Sequence, residues 1–486
     1  MKEELIIIED GEIEVRGNPI FTDLNLQLYK SEILGVVFDN VIARKCLLEL
    51  FRGERRLNGG RVFIGNKRQD YDNVLSFFRD NATIIEKNSK LISNLTIEEN
   101  IFLFADNSGI VSERKYKNNF QVLVNKFGLD IHINRQVQTL LPKERIIIEL
   151  LKAYYEEKKL VVLNYISGQL LNNDLEDIHS LIVNLTKHGM SFILIESFNN
   201  IVFEWVNSFF LIQYGKTVGI FDSNSYNNRQ LYSLLLRNTS PIAGALINNK
   251  GQEKKLSDTP VLEIRNVYTD HIKALSIQIR AGDILKIIYM DDDSYEHITD
   301  LLKGNMNPIS GEIRLRGRNI TINSTSNAFD KGICFIEESP YENMLFYNMT
   351  VKENLGLALS EKIPLFWLKR RYIKSLDHLI KTFKLEEFAD IKLRKLDPRI
   401  LQVIAYLKWY LYAPDVVICT KPFTELDINL QEITIEMIQY LKSRGISVIL
   451  LTPILSETYK VENDTIYIKD GRIIDKNEVY MNLYKR

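Results

Sequence analysis

The chain has 486 residues, 45% of them hydrophobic and 26% charged, with 62 Lys and Arg against 63 Asp and Glu. That length accommodates two domains of roughly 240 residues with full cores, and the charge balance excludes a global field for nucleic acid. Three cysteines (Cys46, Cys334, Cys419) exclude a disulfide framework, and no apolar run reaches the roughly 18 residues of a spanning helix.

In chain order, residues 11–16 alternate as a strand does, and 33–37, 160–163 and 192–195 are short apolar runs. The pattern then returns: 261–266 alternate, 284–288 are apolar apart from Lys286, and 416–419 and 448–451 are apolar. Such β-branched runs, separated by helix-length stretches, predict strands buried on both faces of an α/β sheet. Residues 367–380 predict an amphipathic helix, with Leu368, Tyr372, Leu376 and Ile380 four apart. The polar stretch 247–260 predicts a linker. Too short an apolar run at the amino terminus for a secretory signal, with so few cysteines, gives cytoplasmic as the expected location.

The recurrence is literal. SEILGVVF at 31–38 returns as GDILKIIY at 282–289, and LTIEEN at 95–100 as MTVKEN at 349–354. HGMSFILI at 188–195 returns as RGISVILL at 444–451, and QYGK at 213–216 as KDGR at 469–472. The offset between equivalents grows only from 251 residues at Leu34 and Leu285 to 256 at Gly215 and Gly471. Four landmarks in one order with so little drift predict a tandem repeat: domain 1 at 1–240, a linker at 241–260 and domain 2 at 261–486.

These landmarks, with SGEIRLRG at 310–317, resemble the tandem ATP-binding subunit of sugar ABC importers of the ribose, galactose and xylose type. The resemblance covers nearly the whole chain. It implies an α/β fold with two ABC-type ATPase-like (P-loop NTPase) domains, each with a helical subdomain, and docking on a membrane permease. It is strongest in framework segments and fails where chemistry would sit.

A working phosphate loop needs glycines to wrap phosphate, a lysine to neutralise it and a hydroxyl for Mg²⁺. By the resemblance, the first copy puts Phe38, Val41 and Ala43 at glycine positions, with Asn40 between them. Arg44 stands at the lysine position and Lys45 at the hydroxyl position, followed by Cys46. The second copy has Tyr289, then three aspartates including Asp292, with Tyr295 and Glu296 for the cation and the hydroxyl. The Asp-Glu pair that would hold Mg²⁺ and polarise water is Asn164-Tyr165 in one copy and Thr420-Lys421 in the other. The switch residue is Ser197 or Pro453, and the γ-phosphate-sensing glutamine falls near Lys87. In the signature segments, Leu141 and Lys143 stand in copy one, and Asp397 and Arg399 in copy two. In this family one copy's phosphate loop faces the other's signature, so both composites are defective on both sides. Pro422 and Asp427 persist as framework.

No metal site and no resident cofactor are expected; Arg44 leaves weak ATP and Mg²⁺ binding open in domain 1. The first functional expectation is a pseudo-ATPase: a non-hydrolysing docking or regulatory subunit at the inner face of the membrane. Its partner would be a permease, a membrane sensor or another ABC subunit. The alternatives are an atypical but active ATPase of a carbohydrate importer, and a soluble regulator binding a ligand or protein in clefts lined by Phe38, Tyr165, Tyr289 and Tyr295. The basic pairs Arg370-Arg371 and Lys254-Lys255 lack the stacking aromatics of a nucleic-acid site.

Overall fold

A computed structural model describes residues 3–15, 17–87, 89–102, 113–129, 131–167, 170, 172–196, 204–222, 260–360, 368–424, 426–453 and 464–475. The chain divides into two compact units, Met1–Leu235 and Leu236–Arg486. Of the expected linker 241–260, only Pro260 is among the described residues.

In unit 1, β1 (Glu4–Val15), β2 (Asn18–Tyr29), β4 (Gly59–Ile64) and β5 (Lys67–Gln69) form an antiparallel region. The parallel region is built from β3 (Ile33–Phe38), β6 (Ala82–Ile85), β7 (Leu160–Asn164) and β8 (Ser191–Ile195), with β9 (Ser208–Gln213) alongside and β10 (Lys216–Asp222) closing back. A bridge between Lys216 and Asp23 joins the two regions into one sheet, ordered β5-β4-β1-β2-β10-β9-β3-β8-β7-β6.

Unit 2 repeats this plan as two sheets. β11 (Pro260–Tyr268), β12 (Leu275–Arg280), β14 (Ser310–Leu315) and β15 (Arg318–Ile320) make the antiparallel one. β13 (Ile284–Tyr289), β16 (Ile333–Ile336), β17 (Val416–Thr420), β18 (Ser447–Thr452), β19 (Asp464–Lys469) and β20 (Arg472–Ile474) make the other, ordered β16-β17-β18-β13-β19-β20. Every residue of β3, β7, β8, β13, β17 and β18 is buried, which is why these strands read as apolar runs rather than alternating ones, with Lys286 inside β13 the one interior exception. β7 and β17 each run one residue beyond the apolar stretch, taking in Asn164 and Thr420.

The helical part of unit 1 holds helices Ile97–Phe102, Glu113–Phe127 and Pro142–Tyr155; that of unit 2 holds Val351–Ser360, Leu368–Thr382 and Pro398–Tyr412. The expected helix at 367–380 is therefore present, and Leu376, Leu379 and Ile380 are buried.

The recurring motifs now have physical causes. In LTIEEN, Glu99 accepts from the Thr96 N–H at 2.7 Å while the Thr96 hydroxyl accepts from the Glu99 N–H at 3.2 Å; Thr350 and Glu353 repeat both distances. This reciprocal cap starts the helix. The buried amide of Asn100 then accepts from Ile92 N–H (2.7 Å) and donates to Ile92 O (3.0 Å), and Asn354 grips Phe346 in the same way (2.8 and 2.9 Å). In QYGK and KDGR the glycine is obligatory: Gly215 and Gly471 have φ of +74° and +70°. A Cβ there would lie 2.1 Å from Ile20 O and 2.0 Å from His271 O.

Candidate functional site

In a parallel α/β sheet, ligands bind outside the carboxyl ends of the strands. Here those ends present Phe38, Asn164 and Glu196 in unit 1, and Tyr289, Thr420 and Thr452 in unit 2.

The expected phosphate loops are absent as loops. A GxxxxGK[ST] loop holds its phosphate-binding stretch between strand and helix, which would span 38–43 here. Instead a helix, Val41–Phe51, begins two residues after β3 ends. Unit 2 does the same: β13 ends at Tyr289 and the helix Asp292–Lys303 follows. None of these helical residues has a positive φ, the conformation that the glycines of such a loop permit.

The new helix ends are then closed by the protein's own side chains. A helix N-terminus offers unpaired N–H groups and a positive dipole end, the property that attracts phosphate. Asn40 caps the unit 1 helix by accepting from Ile42 N–H at 2.7 Å, and Asp39 accepts from Tyr214 N–H at 3.1 Å. In unit 2, Asp291 accepts from Ser294 N–H (2.7 Å), the Ser294 hydroxyl (2.7 Å) and Asp470 N–H (2.9 Å). The first carboxylate of the aspartate run thus occupies N–H and O–H donors at this helix end.

The signature positions are closed likewise. Glu144 accepts from Leu141 N–H at 2.9 Å, and Lys143 bonds Asp174 and Asp177, both at 2.9 Å. Burial alone would lower the Lys143 pKa, but its two aspartates outweigh that and hold it above the ordinary value. Asp397 caps the unit 2 helix through Arg399 N–H (2.9 Å) and pairs the Arg399 guanidinium at 2.8 and 3.1 Å.

Behind each phosphate-loop helix end the space is filled from within its own unit. Phe38, Ala43, Cys46 and Tyr165 belong to the unit 1 core. Arg44, at the lysine position of the resemblance, is 5% exposed and lies 4.2 Å over the Tyr165 ring. Its Nε and Nη1, with Asn164 Oδ1, find no hydrogen-bond partner among the described residues. In unit 2 the pair is exchanged. Tyr295 occupies the position equivalent to Arg44 and Lys421 that equivalent to Tyr165, with the Lys421 ammonium 4.5 Å over the Tyr295 ring. Tyr289 packs 4.8 Å from Tyr295. Burial and the neighbouring Glu337 push the Tyr295 hydroxyl up to about 12.

Tyr165 and Lys421 share one backbone trick that the sequence hid: φ of +52° and +47°, each N–H donating across the sheet to Ile195 O (2.9 Å) and Leu451 O (2.8 Å). Lys45 and Glu296 point outward as exposed residues, Pro453 is half-buried, and Ser197 lies outside the described residues. Asp292 begins its helix, and Asp427 caps the helix Ile428–Ser443 through Leu430 N–H at 2.9 Å. Cavities of about 520 and 430 Å³ lie elsewhere, at Gly311, Asn319 and Thr321 in unit 2 and at Gly60, Arg68 and Asp70 in unit 1.

Sequence reasoning missed Glu196. It is 1% exposed and accepts from Ser167 N–H (3.0 Å) and the Ser167 hydroxyl (2.7 Å). Burial pushes its carboxyl up to about 7, against the pull of those bonds and of Arg44. The only signal was an acid placed directly after an apolar strand. Among the described residues no group of three or more His, Cys, Asp or Glu could hold a metal, and no helix is long and apolar enough to cross a membrane.

No family model matches the chain. It is 24% identical over 471 residues to the ribose import ATP-binding protein RbsA of Clostridium perfringens (strain 13 / Type A), covering 94% of this chain and 92% of that one. It is 23% identical over 491 residues to the xylose import ATP-binding protein XylG of Thermoanaerobacter pseudethanolicus, covering 97% and 96%. Among solved structures, an RNase-L inhibitor matches with a TM-score of 0.57 at 14% identity, over 99% of this chain and 92% of that one. The chain resembles the tandem ATP-binding subunits of sugar importers over nearly its whole length, in the ABC-type fold.

Proposed function

We propose that this chain is a non-hydrolysing member of an import system of that kind, a pseudo-ATPase that docks on a membrane permease and holds or regulates it. One observation carries the reading: both phosphate loops are wound into helices whose ends are capped by the protein's own Asn40 and Asp291. No carboxylate stands at the position that would polarise water, since Tyr165 and Lys421 are there. A positioned base is worth about 10²- to 10⁴-fold in rate.

What is kept is a surface for docking. Ile92 and Phe346, 44% and 55% exposed, occupy the same place at the entrance to each helical part. The Asn100 and Asn354 amides fix both of them. Large apolar side chains held rigidly in water at equivalent places in both units are what an interface requires.

A photo-crosslinker at position 92 or 346, in native membranes, is expected to capture a membrane-spanning protein. Capture of soluble proteins alone would overturn the docking reading. A second reading, weak nucleotide binding in unit 1, has one observation in its favour: Nε and Nη1 of Arg44 lack hydrogen-bond partners among the described residues.

A further inference from the structure

The loops that carry Ile92 and Phe346 are each tied to the long helix behind them, and the ties are chemically opposite. In unit 1, Glu149 of the helix Pro142–Tyr155 is 8% exposed. Its Oε1 accepts from the Ser89 hydroxyl at 2.6 Å and from Lys90 N–H at 2.8 Å. The Ser89 hydroxyl in turn accepts from Leu91 N–H at 3.2 Å. In unit 2 the residue equivalent to Glu149 is Ala405, which can hold nothing. One turn further along, Lys408 of the helix Pro398–Tyr412 donates instead to Met344 O at 2.9 Å, with its ammonium 5.8 Å over the Phe346 ring.

Lys90 and Met344 are the same loop position: each stands two residues before Ile92 or Phe346 and ten before Asn100 or Asn354. One copy grips that residue by its N–H with an anion, the other by its carbonyl with a cation. We infer that Glu149 and Lys408 are positioning residues, which hold the two docking loops in a preformed, nucleotide-independent shape. This deepens the docking reading and rests on it.

Both anchors are drawn out of water into the protein. Burial raises the Glu149 pKa against the pull of Ser89, Lys90 and Lys152, and burial lowers that of Lys408. A bond between a charged group and a backbone amide is stronger than a neutral one. A loop whose fixing comes from its own helix needs no γ-phosphate to set it. It also presents its apolar residue to a partner without an ordering cost at each encounter.

The test is peptide-level hydrogen exchange on the whole protein, with Glu149→Ala, Glu149→Gln, Lys408→Met and Lys408→Arg, each with and without Mg-ATP. Glu149→Ala is expected to speed exchange at 89–95 by about tenfold or more, leaving 344–350 unchanged, and Lys408→Met to do the reverse. Glu149→Gln keeps an acceptor and Lys408→Arg a donor, so each is expected to recover most of the protection. Mg-ATP is expected to change neither loop. Because the closed loop raises the Glu149 pKa, acidification should tighten 89–95 in the wild type and not in Glu149→Gln, a dependence that simple packing would not produce.

Unchanged exchange in both truncation variants, equal loosening of both loops by either one, or protection gained on adding Mg-ATP would overturn the inference. None of these results bears on whether Ile92 and Phe346 meet a membrane protein, which the crosslinking experiment decides on its own.

Discussion

The two vacated pockets solve one problem with the same parts in exchanged places. In unit 1 the cation comes from the helix that replaced the phosphate loop and the aromatic from the strand end, as Arg44 over Tyr165; in unit 2 the helix supplies Tyr295 and the strand end Lys421. In both units a helix position and a strand-end position face each other. A cation on an aromatic face fills that space with contact and without a second buried charge. Either order serves, as packing of a cation on an aromatic face requires. The units differ more in depth. Tyr165 is 4% exposed and part of the core, whereas Tyr295 is half-buried.

That difference sets the largest expected effect. Tyr165→Ala should destabilise unit 1 by about 3–4 kcal/mol, and Tyr295→Ala should cost unit 2 only about 1–2 kcal/mol. Urea unfolding followed separately in each unit by hydrogen exchange measures both. Equal losses would erase the distinction between the pockets.

Next comes pH. Glu196 in unit 1 is held up to about 7 by burial, against an ordinary carboxyl value of 4.5, and its position in unit 2 holds Thr452, which does not titrate. A raised carboxyl pKa means the folded unit keeps a proton that the unfolded chain releases. The stabilisation is therefore complete below pH 4.5 and is lost as pH rises to about 7, by about 3 kcal/mol in all. Glu196→Gln should flatten that slope in unit 1; a slope unchanged by it would show that another group titrates.

The smallest effect tests the exchange itself. A double-mutant cycle on Arg44 and Tyr165 should give a coupling of about 1 kcal/mol. The exchanged pair Arg44→Tyr with Tyr165→Lys should cost less than the sum of its single changes. Strict additivity would mean that the two side chains merely coexist.

Much of this was legible in the sequence, because the fold's repeats are written in strong local signals. β-branched runs mark doubly buried strands, Thr96 and Glu99 write a helix cap, and Gly215 marks a turn no other residue fits. Missing glycines at 38, 41 and 43 were the sequence signal of a departure from the phosphate-loop pattern. What replaced it was not legible. Whether a chain without glycines stays a loop or winds into helix depends on whether Asn40 and Asp291 find their N–H partners, and only the fold settles that. The direction of Arg44 was not legible either, because residue type carries charge but not direction; the structure turns it inward onto Tyr165. Glu196 and Glu149 escaped notice for the converse reason. An acid in sequence reads as surface, and its burial is a property of the elements packed around it.

The most direct test of the central claim is titration calorimetry of the purified protein with Mg-ATP, followed by phosphate release on the same sample. Closed helix ends predict no heat up to millimolar nucleotide and no phosphate above the uncatalysed rate. Saturable binding with Mg²⁺-dependent turnover, abolished by Arg44→Ala, would contradict the account and return the chain to the working ATPases.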